Sequence, residues 1–178
     1  MKNNIQIDTS RLMLRKLDRK DLIDVFNYRS LKSVSQYQSF LPTSLEDMEF
    51  FYRSIARAPN MPNTWFQLAI ILKNKNILIG DIGIHFLKID NQVEIGYTLS
   101  PNYQGQGYAF EAVSSVITYL FSSLKKEMII ASVDKDNIKS INLLHKLGFK
   151  QKVPIVGENL NSEYPNDYIF ILLKYCEY

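Results

Sequence analysis

Two closely spaced glycines mark the stretch of this sequence with the clearest capacity for chemistry. In SPNYQGQGYAFEA, residues 100–112, Gly105 and Gly107 stand directly before a segment with helical periodicity. The first backbone N–H groups of a helix have no partner within the helix, and the helix dipole adds positive charge there. Because glycine lets the main chain approach a phosphate closely, residues 104–109 are suited to binding a pyrophosphate. For such a loop taken alone, a turn that merely contains two glycines is the simpler explanation.

Two familiar phosphate-binding patterns do not fit this loop. A Walker loop ends in Gly-Lys-Ser/Thr, a sequence that does not occur in the chain. A dinucleotide fingerprint needs Gly or Ala three residues after its second glycine, where this chain has Phe110. The strands before the loop are also predicted to form a meander, whereas a dinucleotide fold opens with a β–α–β unit.

Hydrophobic periodicity predicts the elements that position the loop. Strands are predicted near residues 12–15 and at Trp65–Leu72, Ile77–His85, Gln92–Leu99, 128–133, Lys150–Val156 and Tyr168–Tyr175, and helices at 18–29, 43–57, 109–121 and 138–147. The motif TSLE, residues 43–46, predicts a capping box at the start of the second helix.

These elements predict an α/β fold in a single domain spanning residues 1–178. The turns KNKN and KIDN are typical of an antiparallel meander. A right-handed crossover through residues 92–133 should place its two strands parallel. The expected architecture is a mixed, mostly antiparallel central sheet of about seven strands with helices on both faces.

Composition excludes several classes of function. A formal net charge of +3 without a basic run argues against a general nucleic-acid binder. The single cysteine, Cys176, provides neither a disulfide framework nor a zinc cluster and favours a reducing compartment. No apolar stretch approaches the roughly 20 residues needed to cross a membrane, and the N-terminus lacks the apolar segment of a secretory signal. We therefore expect a soluble cytoplasmic protein without a bound metal.

Two motifs together resemble the GNAT superfamily of N-acetyltransferases. The loop Gln104-Gly105-Gln106-Gly107-Tyr108-Ala109 is similar to the superfamily signature Arg/Gln-x-x-Gly-x-Gly/Ala. The segment DNIKSINLLHKLGF, residues 136–149, resembles a second signature, Asn-x-x-Ser followed by a helix that ends in Lys-x-Gly-Phe. That signature is typical of the branch that contains ribosomal-protein N-acetyltransferases. Both motifs occur in the expected order and element pattern, and the resemblance is strongest over residues 78–150.

The resemblance implies acetyl-coenzyme A as the cosubstrate. In the superfamily the loop amides bind the pyrophosphate, a role that falls here on Gln104, Gly105, Gln106, Gly107, Tyr108 and Ala109. The pantetheine arm lies beside the splayed end of the preceding strand, here near Tyr97 and Leu99. Asn137 matches a residue that binds the arm from the other side, although asparagine is also a good helix N-cap.

Direct acetylation of an amine requires a proton acceptor, since a lysine-type amine has a pKa near roughly 10 and an α-amine near roughly 8. Glu94 lies on the strand that leads to the loop, where the superfamily often has a carboxylate, and it would act through water. The alternative to a catalytic role is that Glu94 is an exposed strand residue paired with a basic neighbour. Glu158 and Glu163 are weaker candidates for the base, and His85 and His145 are expected at the surface or in packing.

The departing thiolate needs a proton or a hydrogen bond, and here the chain departs from the superfamily pattern. Many members have a tyrosine four residues before the glycine that ends the last helix, where this chain has Leu144. Ser140 matches the serine of the signature and is the expected hydrogen-bond donor to sulfur, with an ordinary first-turn helix residue as the alternative. Catalysis should then depend mainly on positioning and on backbone N–H groups where two parallel strands splay.

The acceptor is the least determined part of the prediction. Residues 28–42 and 153–167 form two loops that should border its pocket, and the acidic bias of the second loop favours a cationic amine. We expect acetyl transfer to a primary amine, first of all a protein N-terminus. A polyamine or an aminoglycoside is an alternative acceptor, and a coenzyme A-binding module without catalysis is an alternative function. The resemblance also suggests a homodimer.

Overall fold

One eight-stranded sheet organises the computed structural model, which describes residues 5–152 and 167–174. The strands are β1 (Gln6–Asp8), β2 (Leu12–Lys16), β3 (Thr64–Leu72), β4 (Ile77–Phe86), β5 (Gln92–Leu99), β6 (Met128–Asp134), β7 (Lys150–Gln151) and β8 (Asp167–Leu173). The helices are α1 (Leu22–Arg29), α2 (Lys32–Ser35), α3 (Leu45–Ser54), α4 (Tyr108–Ser122) and α5 (Ile138–Lys146). The strands follow the order β1-β2-β3-β4-β5-β6-β8-β7, and of these pairs β5–β6 is parallel and the others are antiparallel.

The predicted mixed sheet is confirmed, and so are the predicted long elements, except that the helix predicted at 43–57 ends at Ser54, where the backbone of Ile55 becomes extended. The strand β1 and the helix α2 were not predicted. These elements have three and four residues, too few for a periodic pattern to reveal them. The predicted strand at Lys150–Val156 is confirmed in its first two residues, and the rest of it lies outside the described residues. The predicted strand at 128–133 extends to Asp134.

The predicted capping box is wrong by one residue. TSLE places it at Thr43 and Glu46, but the N-cap is Ser44, whose extended backbone (φ −147°) delays the helix until Leu45. The Asp47 N–H donates to Ser44 Oγ at 3.2 Å, and the Ser44 N–H donates to Asp47 Oδ2 at 3.0 Å. Asp47 also accepts from the N–H and hydroxyl of Thr43, so the shorter carboxylate satisfies this helix start.

Helices cover both faces of the sheet, as predicted. On β3, Leu68 and Ile70 face the cluster that contains the buried residues of α4 and α5. Their neighbours Ala69 and Ile71 face the cluster formed with α1 and α3. This alternation is the period-two geometry of a strand buried on both sides. In the described ranges no helix is both long and apolar enough to span a membrane.

The parallel strands β5 and β6 separate shortly after they meet. Their register begins at Gln92 opposite Met128 and ends at Glu94 opposite Ile130. Beyond that point β5 continues beside β4 as far as Leu99, and β6 continues beside β8. The diverging ends form a splay, in which the facing backbone edges of the two strands are available to a ligand.

A buried carboxylate fixes α1 against the sheet. Asp81 of β4 is fully buried and accepts hydrogen bonds from the Tyr28 hydroxyl, from Gln67 Nε2 and from Arg29 Nη2, the last at 2.6 Å. Burial and the Asp81 charge raise the pKa of Tyr28 well above its usual value. Tyr28 is therefore a core residue of the α1 face.

Candidate active site

The loop between β5 and α4 requires glycine at both positions singled out by the sequence. Gly105 has φ +74° and Gly107 has φ +81°, in the left-handed region that other residues adopt at a cost. Gly107 is the N-cap of α4, so the loop ends where the unpaired N–H groups of the helix begin. The unusual backbone expected of this loop is confirmed.

Three loop amides have no hydrogen-bond acceptor within the part of the chain that the structure describes. They are the N–H groups of Gly105, Gln106 and Gly107. The N–H of Gln104 differs, because it donates to the Pro101 carbonyl at 3.2 Å. The Gln104 side chain instead connects elements: Nε2 donates to the Leu99 carbonyl at 3.1 Å, and Oε1 accepts from Lys139 Nζ at 3.3 Å.

A network from the N-terminal region holds the loop against β2. Glu111, in the first turn of α4, accepts hydrogen bonds from the Thr9 hydroxyl at 2.6 Å, from the Arg11 N–H at 2.8 Å and from Arg11 Nε at 2.6 Å. Arg11 Nη1 donates to the Gln106 carbonyl at 3.0 Å, and its guanidinium lies over the Tyr108 ring at 4.4 Å. Arg11, which directly precedes β2, thereby orients the loop although it lies almost a hundred residues away in sequence.

This network predicts a pH-dependent contribution to stability. Partial burial favours the neutral form of Glu111, but the hydrogen bonds from Thr9, Arg11 and Ser10 outweigh it and lower the pKa of Glu111 from 4.5 to about 2. The carboxylate should therefore stabilise the fold above about pH 4.5 and lose that effect as the pH falls toward 2. We expect Glu111→Gln to unfold at lower urea than the wild type at pH 7, with a difference that shrinks on acidification. A difference independent of pH would contradict this explanation.

Glu94 lies on β5 at the last paired position before the splay. Its Oε1 accepts a hydrogen bond from the Ser132 hydroxyl of β6 at 3.0 Å, and its Oε2 lies 3.7 Å from His85 Nδ1 of β4. The His85 ring stacks on Trp65 of β3, with centroids 4.8 Å apart. His85 is therefore not an isolated surface residue, because it forms a row with Glu94, Ser132 and Trp65 across four strands.

Two further carboxylates lie on the same face of the sheet. Asp134 of β6 is the cross-strand partner of Asp167 of β8, and both follow the alternation that brings Ser132 to Glu94. Partial burial, then the charges of Asp134 and Glu94, raise the pKa of Asp167. Within residues 5–152 and 167–174 no group of His, Cys, Asp and Glu is arranged to hold a metal ion. The carboxylates of Glu94, Asp134 and Asp167 therefore lie close enough for their charges to interact beside the splay.

Next to this row, one of two paired glycines leaves an open space above the sheet. Gly83 of β4 and Gly96 of β5 are cross-strand partners on the face of Glu94 and His85. A Cβ on Gly83 would lie 3.0 Å from the Trp65 ring, whereas a Cβ on Gly96 would meet nothing within 4 Å. We call the open strip over Gly96, bordered by Trp65, His85 and Glu94, the glycine floor.

The opposite side of the splay is closed by a contact between β5 and α5. The Tyr97 hydroxyl lies 2.7 Å from Ser140 Oγ, and burial raises the pKa of Tyr97 to about 12 despite the hydrogen bond to Ser140, which lowers it. Asn137 caps α5 by accepting from the Ser140 N–H at 3.2 Å, so the N-cap interpretation of Asn137 is confirmed. Leu144 is fully buried in the core. His145 packs edge-on against Phe170, as expected.

The structure brings most of the predicted residues to the splay, but from two sides. Glu94 lies on the α1 and α3 face, whereas Tyr97, Leu99 and the loop lie on the α4 and α5 face or edge. Sequence reasoning missed Arg11, Lys139 and Trp65, and it assigned His85 no role. The meander register offered a signal for His85, since it pairs that residue with Glu94. Glu158, Glu163 and Cys176 lie outside the described residues.

A splayed parallel pair of strands, followed by a glycine loop at a helix N-terminus, is the arrangement expected for the GNAT fold. Comparison with known proteins agrees. The acetyltransferase (GNAT) domain model matches residues 11–150, and the chain therefore belongs to the GNAT acetyltransferase family. It is an N-acetyltransferase with acetyl-coenzyme A as the acetyl donor.

Relatives and a solved structure are similar over nearly the whole chain. The N-acetyltransferase YnaD of Bacillus subtilis is 28% identical over 176 residues, which cover 96% of this chain and 98% of the relative. The spermidine N(1)-acetyltransferase of Vibrio cholerae is 26% identical over 150 residues, 84% of each chain. The crystal structure of a GNAT acetyltransferase from Bacillus anthracis matches with a TM-score of 0.80 and 27% identity, and it covers 95% of this chain and 98% of that one.

Proposed function

We propose that this enzyme acetylates a small-molecule amine that carries more than one positive charge, of the polyamine type. The observation that supports this choice most is the set of three carboxylates, Glu94, Asp134 and Asp167, on one face of the sheet beside the splay. A protein N-terminus has one ammonium group, whereas a polyamine has several that the carboxylates can pair with. The similarity to a spermidine N(1)-acetyltransferase supports the same choice.

On the donor side, the loop provides the groups that a diphosphate requires. The N–H groups of residues 105–109 would bind the pyrophosphate, with Arg11 and Lys139 as nearby cations. The pantetheine arm would lie along the β5 backbone at Tyr97 and Leu99, beyond the last pair of the β5–β6 register. Asn137 Oδ1 accepts the hydrogen bond that caps α5. The Nδ2 amide of the same side chain would donate a hydrogen bond to the pantetheine arm.

On the acceptor side, Glu94 would remove the proton that the amine loses as its nitrogen bonds to the acetyl carbon. Its two contacts, Ser132 at 3.0 Å and His85 at 3.7 Å, hold the carboxylate at the edge of the glycine floor. Backbone N–H groups released by the splay would stabilise charge on the thioester oxygen. Ser140 would donate a hydrogen bond to the sulfur as the carbon–sulfur bond breaks.

The acceptor assignment is tested by thiol release from acetyl-coenzyme A with spermidine, a short peptide and an aminoglycoside. We expect turnover with spermidine, and an increase of about tenfold in its KM when Asp134 and Asp167 are both replaced by Asn, since two attractive charges are removed. Glu127→Gln, at the opposite end of β6, is the matched control and should change nothing. Turnover with the peptide alone would identify a protein N-terminus as acceptor, turnover with the aminoglycoside alone would identify an aminoglycoside, and coenzyme A binding without any turnover would identify a non-catalytic module.

The cytoplasmic location, the single-domain organisation and the homodimer stay predictions.

A further inference from the structure

The contact between Tyr97 and Ser140 joins the two elements that border the splay. Tyr97 extends from β5, three residues beyond the last position paired with β6, and Ser140 lies in the first turn of α5. Their side-chain oxygens are 2.7 Å apart, while the Ser140 carbonyl lies 3.4 Å from the same Tyr97 hydroxyl. The shorter distance makes the serine hydroxyl the main partner of Tyr97.

A serine hydroxyl has one proton to donate. If Ser140 gave that proton to Tyr97, it would have none for a sulfur atom in the splay. If Tyr97 is the donor instead, the Ser140 proton is free to point into the splay. The direction of this single hydrogen bond therefore decides whether Ser140 can perform the role proposed for it above.

We propose that Tyr97 is a positioning residue, which donates its hydroxyl proton to Ser140 Oγ and thereby directs the Ser140 proton toward the sulfur of the departing thiolate. The inference rests on the proposed function of Ser140 and adds a residue to it. The last helix has Leu144 where many superfamily members have a tyrosine, and in this chain an aromatic hydroxyl acts indirectly, from β5 through Ser140.

The charge state of Tyr97 is consistent with a donor that keeps its proton. With its pKa raised to about 12, mainly by burial, Tyr97 is protonated at every pH at which the reaction would be assayed. A thiol has a pKa near 8.5, so proton transfer from Tyr97 to the thiolate would be uphill. Tyr97 therefore orients a hydrogen bond. Glu94 takes the proton that the amine loses, and the thiolate is finally neutralised by a proton from solvent.

The test compares Tyr97→Phe, Ser140→Ala and the double variant. We expect each single variant to lower kcat about tenfold with little change in KM for acetyl-coenzyme A, and the double variant to be no worse than either, because both remove the same hydrogen bond. Tyr119→Phe, a half-buried tyrosine of α4, is the matched control and should retain full activity. Multiplicative losses in the double variant would overturn the inference.

A second measurement does not require an acceptor and so separates this inference from the acceptor assignment. The thiol of bound coenzyme A is titrated through its ultraviolet absorbance, with desulfo-coenzyme A as the blank. A hydrogen bond from Ser140 stabilises the thiolate, so the thiol should titrate at higher pH in both Tyr97→Phe and Ser140→Ala. An unchanged titration in Tyr97→Phe would overturn the inference, as would tighter coenzyme A binding, since Tyr97 would then merely close the splay.

Discussion

Replacing Glu94 with Gln is expected to lower kcat by about 100-fold or more and to leave the dissociation constant of coenzyme A unchanged. The reason is the position of the side chain. Glu94 lies at the last paired position before β5 and β6 separate, and its carboxylate points to the face opposite the loop. The amide of glutamine keeps the size and can keep the contact with Ser132, but it cannot accept the amine proton.

The measurement is steady-state thiol release with saturating spermidine, together with calorimetric titration of coenzyme A. Glu127→Gln is again the control, because Glu127 precedes the other end of β6 and contacts Asn91. If the rate stays at the wild-type level across the pH range, Glu94 is only a strand glutamate paired with His85.

Local sequence patterns were sufficient to predict the loop and the helix on which we propose that the donor binds. The need for glycine at positions 105 and 107 follows from backbone sterics that involve a few adjacent residues, and the helix after them follows from its apolar period. The parallel placement of β5 and β6 follows from the crossover that α4 makes between them. These features depend on residues that are close in the chain, so they can be predicted from the sequence.

Features that depend on distant residues could not be predicted in this way. Arg11 reaches the Gln106 carbonyl because β2 and α4 pack together, and no spacing in the sequence encodes that distance. The contact of Glu94 with Ser132 needs the register of β5 on β6, and the Asp134–Asp167 pair needs the register of β6 on β8. A one-residue change of register would move each side chain to the other face of the sheet.

Replacing Gly107 with Ala is expected to weaken coenzyme A binding about tenfold or more. Gly107 has φ +81°, and a Cβ there would lie 3.4 Å from Arg11 Nη2. Alanine in the left-handed region raises the free energy of the folded state by about 1–2 kcal/mol. The loop can reduce this strain if its backbone rotates, and its N–H groups then turn away from their present direction. A charge-assisted hydrogen bond to phosphate is lost for each amide that turns away.

Stability alone would not distinguish this effect from general damage, and Gly148→Ala provides the matched comparison. Gly148 follows α5 with φ +87°, and a Cβ there would meet Leu172 at an ordinary 3.7 Å. Both variants should lose about 1–2 kcal/mol of unfolding free energy in urea, because both place alanine in the same unfavourable region. In calorimetric titrations with coenzyme A, however, Gly107→Ala should lose affinity while Gly148→Ala keeps it. Equal affinity in the two variants would mean that the loop amides do not bind the diphosphate, and the donor side of the site would have to lie elsewhere in the splay.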